Sequence, residues 1–92
     1  MPTYLIETPH TEEECASGAE EWLRSELPRK AELFDKTYFG CEAGVHDAWT
    51  IAEFENEDEA WRYVSQAERS KTRVVPVNAY SFEEMVEAHQ QG

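Results

Sequence analysis

Ninety-two residues carry 20 acidic against 8 basic side chains, a formal net charge of −12. Such a chain repels phosphate backbones, so nucleic acid is not an expected partner, and no segment approaches the roughly 20 apolar residues of a membrane span. Forty per cent apolar residues, with three Trp, four Tyr and four Phe, argue for one packed domain over 1–92 rather than a disordered acidic tail, and a chain this short gains stability from a partner subunit.

The N-terminal stretch MPTYLIETPH has no basic n-region and no long apolar run. No signal peptide is expected, and the cytoplasm is the expected location. Two cysteines there stay reduced, which disfavours a Cys15–Cys41 disulfide.

PTYLIETP has the β-branched and aromatic content of a strand closed by Pro9. Thr11 to Glu14 then reads as a capping box, followed by Cys15, Ala19, Trp22, Leu23 and Leu27 along one face of a helix that Pro28 stops. Gly18 inside that helix marks a weak point or a close approach of another backbone. LFDKTYFGC reads as a second strand and DAWTIAEFE as a third, joined by the loop EAGVH. Asn56 to Glu59 repeats the N-cap pattern before Ala60, Trp61, Val64 and Ala67. TRVVPVNAY reads as a fourth strand, and Pro76 places it at a sheet edge or gives it a bulge. Ser81 to Glu84 is a further capping box, leading Phe82, Met85, Val86 and His89 along a short terminal helix. Eight of the 20 acids (Glu12, Glu13, Glu14, Glu57, Asp58, Glu59, Glu83, Glu84) fall in these first turns, where carboxylates complement the helix dipole.

The order βαββαβ plus a C-terminal helix predicts an α+β ferredoxin-like sandwich with an antiparallel sheet in strand order 4-1-3-2. Its inner strands read as apolar on both faces: Tyr4 and Ile6 against Leu5, and Trp49 and Ile51 against Ala52 and Phe54. Helices cover one face only, so a second copy stacked sheet to sheet is expected, giving a homodimer.

The chemistry of the chain concentrates in two mirrored segments. His10 precedes Cys15 by five residues, and Cys41 precedes His46 by five. In the expected topology all four lie toward one end of the sheet, with about two strand spacings, roughly 10 Å, to be bridged by the hairpin. Two thiols and two imidazoles suit Zn or Ni, and also Cu, in a roughly tetrahedral shell. A second reading makes the same rim a pocket for a small anionic ligand. Backbone N–H groups of the first helix and Arg69, Lys71 or Arg73 would anchor it, Arg73 foremost, with His10 or His46, His46 first, as the catalytic acid or base of an enzyme. Tyr38 and Trp49 would line such a pocket or a cavity between the paired sheets. A reactive Cys41–His46 dyad is a third reading, and plain packing of both cysteines a fourth. His89, completing an apolar stripe, is expected to pack near the dimer edge.

At PTYLIETPHTEEEC, YFGCEAGVHDAWTIAEFENEDEAW and TRVVPVNAYSFEEM the chain resembles small bacterial proteins of the dimeric α/β-barrel superfamily. The resemblance spans nearly the whole domain and implies a ferredoxin-like protomer pairing through its sheet. That superfamily includes monooxygenases, muconolactone-isomerase-like enzymes and ligand-sensing modules. No catalytic set of those enzymes is matched here, so function must be argued from the site.

Overall fold

The computed structural model describes residues 1–90. Strands β1 (Thr3–Glu7), β2 (Thr37–Phe39), β3 (Ala48–Glu53) and β4 (Arg73–Val77) form one antiparallel sheet in the order β2-β3-β1-β4. Read from the other edge, this is the expected 4-1-3-2 order. Pro76 pairs with Tyr4 on the edge strand β4, where its missing N–H breaks no ladder.

Helices α1 (Glu12–Arg24), α3 (Glu57–Trp61) and α4 (Phe82–Gln90) begin where the capping residues place them. The Thr11 hydroxyl accepts from the Glu14 N–H at 3.2 Å, and the Glu14 carboxylate accepts from the Thr11 N–H at 2.8 Å. Asn56 accepts from the Glu59 N–H at 2.9 Å, and Ser81 and Glu84 form the second reciprocal pair. Each such cap satisfies donors that the first turn leaves without a helical partner.

The second strand is much shorter than the sequence suggests. Lys30–Asp35 forms a helix, α2, and the strand starts only at Thr37. Leu-Phe-Asp is too short to show a period, and tertiary burial decides it: Leu33, only 1% exposed, fills the core beneath the sheet. Arg29 enters this helix in the left-handed region at φ 64°. Its guanidinium holds the entry by donating to both Glu32 oxygens (3.0 and 2.8 Å) and to the Glu53 carbonyl (2.9 Å), 5.1 Å from the centre of the Phe54 ring.

The core is Tyr4, Ile6, Leu33, Ala52, Phe54, Ala60 and Val64, with Trp22, Trp61, Tyr63 and Val74 packed partly against it. Alternation along β1 puts Tyr4 and Ile6 inside and Leu5 on the opposite face, beside Ile51 and Val75 in register. Ile51 there is 48% exposed. Helix α1 buries none of its residues completely, and Leu23, expected on its inner face, is 65% exposed. The approach to Gly18 is made by a side chain rather than a backbone: Glu68 Oε1 lies 3.6 Å from where a Cβ would stand. Helix α4 also buries nothing. The radius of gyration of 15.7 Å exceeds the roughly 12 Å of a compact chain this long, and the longest extent is 51 Å.

Surface ion pairs tie the helices down. Arg29 and then Lys36 hold the Glu32 carboxyl at about 2, well below its ordinary 4.5. Folding therefore gains from the Glu32 charge only where the unfolded carboxyl is also ionised, and that gain fades as pH falls from about 4.5 through about 2. Glu32→Gln is expected to be less stable than the parent near about pH 6 and indistinguishable from it below about pH 2. Denaturant midpoints of both proteins across that range measure the difference.

Candidate metal centre

The β1–β3 ladder does not stop at the strand ends. Thr8 and Ala48 exchange both backbone hydrogen bonds (2.9 and 3.2 Å), and one step on the His10 N–H donates to the His46 carbonyl at 3.1 Å. The two histidines are thus neighbours across one strand pairing, with ring centroids 5.9 Å apart. Cys15 joins them from the opening of α1, where the capping box fixes the helix entry.

Cys41 has to travel furthest, and Gly40 makes the journey short. The Gly40 carbonyl accepts from both the Ala43 and Val45 N–H groups, and its own N–H donates to the Asp47 carbonyl. A Cβ at this position would stand 2.7 Å from the Val45 carbonyl oxygen and 3.2 Å from the Trp49 ring, so only glycine fits the turn. A single 3-10 turn, Cys41–Ala43, follows and closes at Gly44 in the left-handed region at φ 83°. The hairpin folds back over the end of β1.

One donor atom from each of His10, Cys15, Cys41 and His46 comes within 4.8 Å of all the others. Cys41 Sγ lies 3.2 Å from His10 Nε2 and 2.8 Å from Cys15 Sγ. Both thiols are free. Their separation exceeds the roughly 2.05 Å of a disulfide bond and falls short of the roughly 3.7 Å edge that two sulfurs span on a tetrahedral ion. The Cys15 contact, followed by burial, pushes the Cys41 thiol up from its usual range.

The imidazoles are oriented for ligation. His10 Nδ1 is 3.2 Å from the Thr8 carbonyl, which can only accept, so Nδ1 carries the proton and the Nε2 lone pair faces the sulfurs. His46 Nδ1 is buried without a hydrogen-bond partner among the described residues. A buried ring nitrogen left in that state costs stability unless something ligates it. Donor types, tautomer and the orphaned nitrogen all fit a borderline-soft divalent ion.

The other residues singled out in the sequence lie elsewhere. Trp49 and Arg73 share Glu7 on the open face of the sheet. The indole N–H donates to Glu7 Oε2 at 3.0 Å, and the Arg73 Nε–H donates to Oε1 at 3.2 Å. Tyr38 flanks Trp49 there and is 68% exposed. Lys71 is paired with Glu14 at 2.8 and 2.9 Å, and Arg69 donates to the Trp61 carbonyl. Each cation of the expected anion rim already holds an acceptor of its own. His89 is exposed on α4, outside the cluster.

No family model, curated protein or solved structure matches this chain. Its function therefore rests on the site.

Sequence inspection missed the two supports of this centre, the Thr8 carbonyl and Gly40. The adjacency of Gly40 to Cys41 was the available signal for the second. The geometry has a direct consequence for thiol chemistry. Diamide, which accepts two electrons and two protons, should join Cys15 and Cys41 of the ion-free protein in one bond. The linkage is expected to form several-fold more slowly in Gly40→Ala, whose turn cannot close. Intact-mass measurement of the loss of two hydrogens follows both rates.

Proposed function

We propose that this protein binds one divalent transition-metal ion per chain, of the zinc or nickel class, through Cys15, Cys41, His10 and His46. One observation carries the reading: four soft or borderline donors, drawn from four separate segments, meet within 4.8 Å. Loading replaces each Sγ–H by a bond to the ion and releases two protons to solvent, while the imidazoles ligate as neutral rings. Sulfurs now 2.8 Å apart separate by about 1 Å to reach a tetrahedral edge. A shell filled by four protein donors leaves no position for water or substrate, so the site favours holding or sensing an ion over hydrolytic chemistry.

The reading includes a cytoplasmic setting, where thiols stay reduced, and a ferredoxin-like homodimer related to the dimeric α/β-barrel proteins. Two apolar surfaces on one chain support the dimer: the sheet row Leu5, Ile51 and Val75, and the α4 stripe of Phe82 (84% exposed) and Met85 (44%). Ile51, Phe82 and Met85 stay exposed on the single chain, and a second copy offers each surface a counterpart. No helix among the described residues is long and apolar enough to cross a membrane.

Cobalt is the direct probe of the centre. Added to reduced protein it should saturate at one ion per chain and give thiolate charge-transfer and tetrahedral d–d bands, which zinc then bleaches. Cys41→Ser should lose the charge-transfer intensity and most of the affinity while keeping its far-ultraviolet circular dichroism, and Cys15→Ser should behave alike. Failure of folded wild-type protein to take up either ion defeats the reading. Light scattering checks the assembly, with a dimer expected for the parent and a monomer for Ile51→Lys.

A further inference from the structure

Cys15 and Cys41 stand on two segments that the core does not hold. Helix α1 buries none of its residues completely, and neither does the 3-10 turn that carries Cys41. The buried cluster beneath the sheet takes no member from either. A relative shift of the two sulfurs by about 1 Å therefore displaces no close-packed side chain.

Their separation of 2.8 Å lies between two bonded arrangements. A shortening of less than about 1 Å reaches the roughly 2.05 Å of a disulfide, and a lengthening of about 1 Å reaches the roughly 3.7 Å edge of a tetrahedral ion. These arrangements exclude each other. The metal ligand is a thiolate, and a disulfide offers none, so joining the sulfurs leaves an ion only the neutral rings of His10 and His46.

A small reagent can approach the pair. Cys15 and His10 line a hollow of about 140 Å³ between α1 and the sheet, partly open to solvent. That is many times the space one water needs, and hydrogen peroxide is little larger than water. Cys41 Sγ is the nearest reductant to Cys15 Sγ, and the His10 Nε2 lone pair lies 3.2 Å from Cys41 Sγ, where it can pass a proton.

We propose that Cys15 and Cys41 gate the metal centre by their redox state: hydrogen peroxide joins them and releases the ion, and a dithiol reductant restores the site. The gate rests on metal binding by the four donors. In the oxidation, Cys15 Sγ bonds to one peroxide oxygen as the O–O bond breaks, and the other oxygen leaves as water. Cys41 Sγ then displaces the hydroxyl from Cys15 Sγ, and a second water departs. Two electrons pass from the sulfurs to the peroxide. Besides the two hydrogens of the peroxide, the waters take up two protons, from the thiols of the ion-free chain or from solvent when the ion is bound. A dithiol reverses the change by exchange, becoming a disulfide itself and returning two thiols.

Stepwise addition of hydrogen peroxide to the zinc-loaded full chain tests this. One zinc per chain should be freed for each peroxide consumed, read with a chromophoric chelator. Intact mass under denaturing conditions should then be two hydrogens below that of the dithiol chain, with single chains on non-reducing electrophoresis. Zinc affinity of the oxidised chain should fall by more than about 100-fold, since even an outer partner of a metal ligand is worth about 10- to 100-fold. Treatment with dithiothreitol, followed by its removal, should restore uptake of one zinc. A loaded chain that keeps its zinc, gains oxygen instead of losing hydrogen, or links to a second chain overturns the gate and leaves the metal reading standing. A chain that takes up no zinc fails before any oxidant is added and overturns both.

Discussion

The arrangement depends on one short run of backbone hydrogen bonds. Past the last side-chain pairs of β1 and β3, the ladder continues through Thr8 and Ala48 to the His10 N–H and the His46 carbonyl. That extension puts two imidazoles side by side before any side-chain choice is made. Strand register is fixed by which face must be buried, here by Tyr4 and Ile6 against Ala52. A slip of one residue would turn Ile6 to solvent and send His10 to the other face. The core thus sets the geometry of a site that lies outside it.

Much of this was legible in the sequence because the signals were local. Three N-cap signals announced three helix starts, and each cap forms at the expected residue. Pro76 demanded an edge strand and occupies one. The convergence of His10, Cys15, Cys41 and His46 on one end followed from strand directions alone. The gap between them is smaller than two strand spacings suggest, because His46 adjoins the start of β3 rather than the far end of the hairpin. Since β3 pairs directly with β1, the residue just before β3 already adjoins the residue just after β1, and only Cys41 has to cross.

What could not be read locally was decided by tertiary burial. Leu33 and Phe34 carry no period that separates helix from strand, and Leu33 takes the helical option because its side chain fills the space beneath the sheet. The apolar stripe of α1 suggested a buried face, yet Leu23 faces out and the helix spans a hollow. A periodic pattern shows which side of a helix faces the protein, not how closely the protein comes up to meet it. The open-face row of Tyr38, Trp49 and Arg73 is a further case. Trp49 and Arg73 meet at Glu7, with Tyr38 opposite Trp49, and the value of that carboxylate as a partner for Arg73 appears only once β4 is paired to β1.

The small core would give a metal ion at the His/Cys cluster a physical purpose. Among the described residues seven hydrophobic ones are buried, and none comes from α1. That helix contributes little of the apolar burial that normally attaches an amphipathic helix, and exposed ion pairs such as Lys71–Glu14 add only modestly in water. An ion held by Cys15 on one side and by His10, Cys41 and His46 on the other would cross-link α1 to the sheet and to the folded-back hairpin at a single point. The stabilisation is greatest where the chain is otherwise least fastened, because an ion that binds only the folded arrangement adds its binding free energy to folding. A domain built this way needs no large core at its functional end. If it binds an ion as proposed, it would trade packing for coordination, and the position of α1, with the hollow beneath it, would become sensitive to whether the ion is present.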